Sequence, residues 1–270
     1  MNSEASEIDL PPLLAPDEAP AVEIVHSEGA AGFLLCCDHA SRRVPRVLGD
    51  LGLPPAAFDR HIAWDIGAAD VARLLSHRFD APLVMSGYSR LVIDLNRRHD
   101  DPTSIPEVSD GVLVPANRAI TPEERLRRRD ALFRPYHATI EAALARLAKR
   151  VAVPAIVSIH SCTPVFKGFE RPWHIGVLWN EDGRLARPLM ARLAARGDVS
   201  VGDNQPYSAR DGHGYTMRAH AEAPGLPHVL LEIRQDLIDT HRGAERWAQL
   251  LADELAPLLA DPGLRHRRQG

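Results

Sequence analysis

Three apolar runs in this sequence end in side chains able to do chemistry. Leu34-Leu35-Cys36-Cys37 runs into Asp38-His39, Ala155-Ile156-Val157-Ser158-Ile159 into His160-Ser161, and His228-Val229-Leu230-Leu231 into Glu232-Ile233-Arg234. Ligands in open α/β sheets gather beyond the carboxyl ends of strands, so three such endings point to one pocket assembled from distant parts of the chain. Catalytic zinc commonly takes three protein ligands from His and carboxylate, leaving one position for water. His39 and His160 are the natural imidazole pair, and Asp65 and Asp38 compete for the third place. Asp65 also fits a helix N-cap, and no compact HExxH motif is present, so local spacing alone does not establish a metal.

Attack on an amide further needs a base for the water and a donor for the leaving nitrogen. Glu232 is the candidate, its pKa raised by burial or lowered by a nearby metal. The competing reading is a strand-end ion pair with Arg234. Arg90, Arg97 and Arg234 stand beside strands, and a planar guanidinium suits bidentate capture of a carboxylate. With Asn96 they indicate a small anionic substrate, and Lys167 and Arg171 add to the same positive field. Tyr207 and Tyr215 lie in a Gly-rich stretch, Val199 to Met217, that reads as a loop closing over the site. A Cys-dependent hydrolase is a further alternative, although neither Cys37 nor Cys162 has a persuasive base nearby in sequence. Adjacent in an apolar strand, Cys36 and Cys37 read as small buried hydrophobes.

The elements that must hold these residues follow from periodicity. Strands are expected at Gly32 to Cys37, Ala81 to Ser86, Leu91 to Leu95, Ala155 to Ile159, Ile175 to Trp179 and Val229 to Ile233. Helical spacing marks Asp65 to Arg78, Thr121 to Phe133 with Thr121 as N-cap and Pro122 at the first position, and Pro135 to Arg150. It also marks Leu185 to Arg196, closed by Gly197, and Arg242 to Leu259. Strands alternating with helices argue a mainly parallel α/β sheet covered on both faces. Residues 1–20 read as a loosely ordered N-terminal arm, 21–262 as a single catalytic domain, and 263–270 as a basic C-terminal tail.

Hydrophobic residues make up 45% and charged residues 25% of the 270, a balance that favours neither disorder nor a membrane class. A net charge of -4 gives no electrostatic footprint for nucleic acid. Only 3 cysteines, an odd number, argue against a disulfide framework. With no signal peptide and no run of transmembrane length, a cytoplasmic protein is expected. Oligomeric state is not legible.

Collectively, several stretches resemble the N-formylglutamate amidohydrolase family. They are Cys37-Asp38-His39-Ala40-Ser41 with Val44-Pro45, His61-Ile62-Ala63-Trp64-Asp65, Ser89-Arg90-Leu91-Val92-Ile93-Asp94-Leu95-Asn96-Arg97, Ser158-Ile159-His160-Ser161, Gly202-Asp203-Asn204 and Leu231-Glu232-Ile233-Arg234-Gln235-Asp236. In the family's order, they span roughly Gly32 to Leu259. The resemblance implies a zinc-carboxypeptidase-like fold, a three-layer α/β/α sandwich on a mixed, mainly parallel sheet, and hydrolysis of N-formylglutamate to formate and glutamate, a late step of histidine degradation. It implies one Zn2+ held by His39 and His160, with Glu232 as the catalytic carboxylate. Asp65, in the matching Trp-Asp segment, is the preferred acidic ligand, and Asp38 then reads as a partner orienting an imidazole. Better-characterised deformylases begin their first motif with Pro-His-Ser-Gly, where this chain has Asp-His-Ala-Ser, a divergence that leaves the acyl group open. Deacylation of another N-acyl amino acid or short peptide, or a metal- or ligand-binding relative without catalysis, are the alternatives.

Overall fold

Side-chain alternation along the strands decides how this chain packs. In a computed structural model describing residues 10–212 and 214–268, eleven strands form: β1 (Val22–Val25), β2 (Phe33–Cys37), β3 (Leu83–Ser86), β4 (Val108–Ser109), β5 (Val112–Leu113), β6 (Ala155–Cys162), β7 (Val165–Phe166), β8 (Phe169–Glu170), β9 (Ile175–Leu178), β10 (Val201–Asp203) and β11 (His228–Arg234). Residues 1–9 of the N-terminal arm and 269–270 of the tail lie outside the described residues. Seven strands join one sheet in the order β1-β3-β2-β6-β11-β9-β10. The β1–β3 and β9–β11 pairings are antiparallel and the others parallel, which makes the sheet mixed and mainly parallel. Two short hairpins, β4–β5 and β7–β8, stand apart from it.

Successive residues of a strand face opposite sides, so each central strand serves two cores. Leu35 and Cys37 of β2, Val157 and Ile159 of β6, and Leu231 and Ile233 of β11 pack with α1 (Ala68–Phe79) and with later helices on the same face. Leu34, Cys36, Ile156 and Leu230, one position out of phase, face the other layer. There the chain runs through α2 (Pro122–Arg128) and a π-helical turn, Arg129–Phe133, into α3 (Arg134–Leu147), whose Tyr136, Ile140 and Leu147 are buried. The first face is completed by α4 (Ala186–Ala195) and, after the single turn α5 (Tyr215–Met217), by α6 (His241–Leu259). Fully burying one such Leu, Ile or Val contributes roughly 1.5–3 kcal/mol, so both layers are strongly specified. The result is an α/β fold with helices on both faces of a mixed sheet.

The expected strands at both ends of the site form within a few residues of their sequence boundaries, with one correction. Leu91–Leu95, read as a strand, is turn and irregular backbone. Its carbonyls are engaged by side chains instead of a neighbouring strand: Asn117 Nδ2 donates to Leu91 O at 2.8 Å, and buried Arg128 Nη1 to Val92 O at 3.1 Å. The backbone N–H of Asn96 donates to Asp94 Oδ1 at 2.9 Å, an Asx-type turn that coils the chain. The stretch Val199 to Met217, read as loop, contains β10, and the edge strand β1 precedes the first strand legible in the sequence. Residues 10–20 lie against the body: Leu13 is buried, and Tyr88 Oη donates to Ala19 O at 2.7 Å. Near the other end, Arg265 donates to the carbonyls of Gly32, Val153 and Leu259. No helix among the described residues is long and apolar enough to cross a membrane.

Candidate active site

The alternation that builds the core also brings the chemistry together. On β6 the face opposite Val157 and Ile159 carries Ser158 and His160, and on β11 the face opposite Leu231 and Ile233 carries Leu230 and Glu232. These strands run parallel with Glu232 in register with His160, so imidazole and carboxylate stand side by side. Asp38 and His39 follow directly on β2, the other neighbour of β6. Asp65 arrives from a turn ahead of α1, tied to β2 by its backbone N–H, which donates to His39 O at 3.0 Å. That turn requires glycine: Gly67 has φ +77, and a Cβ there would lie 2.2 Å from Ile238 O. Asp65 does not cap α1, whose N-cap is Gly67 without a side-chain bond, so its carboxylate is free to turn inward.

His39, Asp65 and His160 form one buried cluster in which each offers a ligand atom, all within 4.8 Å of one another. The Nδ1 of both imidazoles faces Asp65 Oδ2, at 2.8 Å from His160 and 3.3 Å from His39. Both Nε2 atoms point the other way onto a second carboxylate, His160 onto Asp38 Oδ2 at 2.8 Å and His39 onto Asp94 Oδ1 at 2.7 Å. A carboxylate behind a histidine fixes its tautomer and ring orientation, which is how ligating imidazoles are usually supported. Both rings therefore turn the same nitrogen toward Asp65. Two nitrogens and a carboxylate oxygen converging in this way are a donor set that zinc accepts, and the residues present fit a divalent cation.

Electrostatics bind the cluster tightly. Burial alone would raise Asp38, but the hydrogen bond and charge of His160, helped by His39 and Thr216, hold it at about 2. Asp65 and Asp94 are likewise driven below the usual carboxylate range against burial, the first by His39 and His160, the second by Arg90 and His39. Burial and Arg90 oppose the charging of His39, and Asp94 and Asp65 prevail. His160 is pushed well above the ordinary imidazole range, Asp38 and Asp65 overcoming its burial. Glu232 behaves differently. Burial pushes it up to about 7 against the lowering charges of His160, His39 and Arg90. Its Oε2 is buried with no hydrogen-bond partner among the described residues, a rare state for a native carboxylate.

A cavity of about 420 Å³ opens over this floor. Arg90, Asn96, Arg97, Tyr207, Tyr215 and Glu232 all line it, together with Arg98, Arg218 and His61, which sequence reasoning did not single out. Arg234 does not line it: its guanidinium is paired with Asp236 at 2.8 Å and donates to Arg171 O, and Glu232 is not its partner. Arg171 is buried between the rings of Phe166 and Tyr207, and its Nη2 donates to Tyr207 Oη at 3.0 Å, so it braces the cavity wall. Lys167 is exposed, with its ammonium over the Phe166 ring. Asn96 is committed to the backbone: its Oδ1 accepts from Thr216 N at 3.0 Å and its O from Tyr215 N at 3.2 Å, which holds α5 at the rim. Cys162 lines the cavity, but burial drives its thiol well above the ordinary range, as it does for Cys37.

Sequence reasoning missed Asp94, Tyr136 and Thr216. Tyr136 Oη and Thr216 Oγ1 each donate to Asp38 Oδ1 at 2.8 Å, from 98 and 178 residues away. Asp94 carried a signal, an acid inside an apolar run four residues after Arg90, which the strand assignment obscured.

The profile of the N-formylglutamate amidohydrolase family matches residues 31–239, most of the chain. This chain belongs to the N-formylglutamate amidohydrolase family. It is 27% identical over 225 residues to an N-formylglutamate deformylase of Pseudomonas putida, covering 77% of this chain and 82% of that one. The crystal structure of an Agrobacterium tumefaciens gene product is similar at a TM-score of 0.88 and 36% identity, over 92% of this chain and 98% of that chain. An N-formylglutamate amidohydrolase from Ralstonia eutropha shares the fold at a TM-score of 0.64 and 19% identity, over 88% and 99% of the two chains. The matched span contains His39, Asp65, Asp94, His160 and Glu232.

Proposed function

We propose that this member of the family is a zinc-dependent amidohydrolase that cleaves the N-acyl amide of an acidic N-acyl amino acid, N-formyl-L-glutamate to formate and L-glutamate. The observation that carries this reading is the convergence of His39 Nδ1, His160 Nδ1 and Asp65 beside Glu232, whose buried Oε2 has no hydrogen-bond partner among the described residues, under a cavity lined by Arg90 and Arg97. On this reading the enzyme works in the cytoplasm, at a late step of histidine degradation.

His39, His160 and Asp65 would hold the zinc ion, which would supply Lewis acidity to a carbonyl and a water when bound. Glu232 Oε2 accepts the proton of the attacking water. The same carboxyl then returns that proton to the amide nitrogen as the C–N bond breaks, releasing formate and the free amine. Burial raises the pKa of Glu232 to about 7 and a bound cation would lower it, two opposed pulls on a group that must both take and return a proton. Arg90 and Arg97 engage the substrate carboxylates, and Tyr207 and Tyr215 narrow the mouth and limit the entry of bulk water.

Glu232→Gln should retain zinc and lose turnover by about 10²–10⁴-fold. Metal analysis alongside formate release checks this, and undiminished turnover in the zinc-loaded variant removes Glu232 from the mechanism. A second reading, deacylation of a larger N-acyl amino acid or short peptide, draws support from the cavity volume, which falls in the range that receives drug-sized ligands. A panel of formyl-, acetyl- and longer acyl-glutamates separates the two.

A further inference from the structure

Asp94 stands where the metal cluster meets the arginines. It is 3% exposed, and its carboxylate serves four donors. Oδ1 accepts from His39 Nε2 at 2.7 Å and from the backbone N–H of Asn96 at 2.9 Å. Oδ2 accepts from Arg90 Nη2 at 2.7 Å and from Arg97 Nε at 3.4 Å. Asp38 occupies the equivalent place behind His160, but its other donors are the hydroxyls of Tyr136, Thr216 and Ser158. Among the described residues, Asp38 makes no hydrogen bond with an arginine. The two carboxylates therefore do the same work for an imidazole and different work for the cavity.

We propose that Asp94 is a positioning residue for both halves of the site, setting His39 toward the metal and the Arg90–Arg97 pair toward the substrate carboxylate, whereas Asp38 serves the metal half alone. The inference rests on the proposed zinc amidohydrolase reading. A guanidinium anchored along one edge keeps its remaining N–H groups in a defined direction, so an incoming carboxylate meets donors that are already oriented. Asn at position 94 would preserve volume, but it would place a neutral amide against two guanidinium groups and withdraw the charge from behind His39.

The test compares metal-free wild type, Asp94→Asn, Asp38→Asn and Asp94→Glu. Zinc affinity is measured by competition with a chromophoric chelator, the ligand field by the absorption spectrum after cobalt(II) loading, and L-glutamate binding by calorimetry on the zinc-saturated proteins. Both Asn variants should lose about 10–100-fold in zinc affinity and shift the cobalt spectrum. At saturating zinc, only Asp94→Asn should also weaken glutamate binding, by about tenfold or more, while Asp38→Asn binds glutamate as wild type does. Asp94→Glu, which keeps the charge but displaces it by one methylene, should weaken both properties less. Should Asp94→Asn not fold, Asp94→Glu carries the same test, because the displaced carboxylate must weaken zinc and glutamate together. Zinc affinity of the position-94 variants within twofold of wild type, or equal glutamate affinity for the position-38 and position-94 variants, overturns the inference and leaves the zinc reading standing. A wild-type protein that takes up no zinc overturns the reading and the inference together.

Discussion

Asp38 and His39 are neighbours in the chain and yet support opposite halves of the cluster. Asp38 backs His160, while His39 is backed by Asp94. The sequence shows why the imidazoles and Glu232 were legible: each stands at or near the end of an apolar run, where polar chemistry is conspicuous. Their partners were less so, because a Tyr on a core-facing helix or a Thr in a loop looks like packing or solvation until the fold brings it to Asp38. Arg234 shows the converse, a residue beside a promising strand whose charge is spent on Asp236. Cys162 lies in the cavity with its thiol held protonated by burial, so a thiolate is unavailable there. Cys162→Ala should keep turnover within a few-fold of wild type in a formate-release assay, and a loss comparable to that of Glu232→Gln would revive thiol chemistry.

At the scale of elements, β2, β6, β11, α1, α3 and α6 were readable because long, regular hydrophobic periods leave little ambiguity. Leu91–Leu95 was not, since a buried apolar run looks the same whether neighbouring strands or side chains such as Asn117 and Arg128 satisfy its backbone. That distinction decides the site, because only a coiled segment turns Asp94 back toward His39. The turn before α1 makes a similar demand at Gly67. Gly67→Ala adds a Cβ against Ile238 O and forces a non-glycine residue to positive φ, at a cost of about 2 kcal/mol or more. For a chain of this size the melting temperature should fall by about 4 °C or more, and an unchanged melting curve would show that the turn relaxes freely.

The whole molecule divides its labour across the sheet. One face is closed by α1, α4 and α6 around an almost wholly apolar layer, and the other combines the α3 core with the cluster and the cavity. This two-layer logic was visible in the alternation of strands and helices. The placement of the small hairpins and of α5 around the rim depends on contacts between distant segments and was not. His160 and Glu232 lie on β6 and β11, each of which has a strand on either side, and nearly every residue of both is buried. Interior strands of this kind release their amide protons only when the entire domain opens. In deuterium-exchange mass spectrometry, peptides from β6 and β11 should be the last to exchange, and those covering 204–212 and 163–170 among the first. Early exchange in β6 would contradict this. His160 and Glu232 thus belong to the slowest clock in the protein, and any movement that admits a ligand to the cavity must be borne by the segments around them.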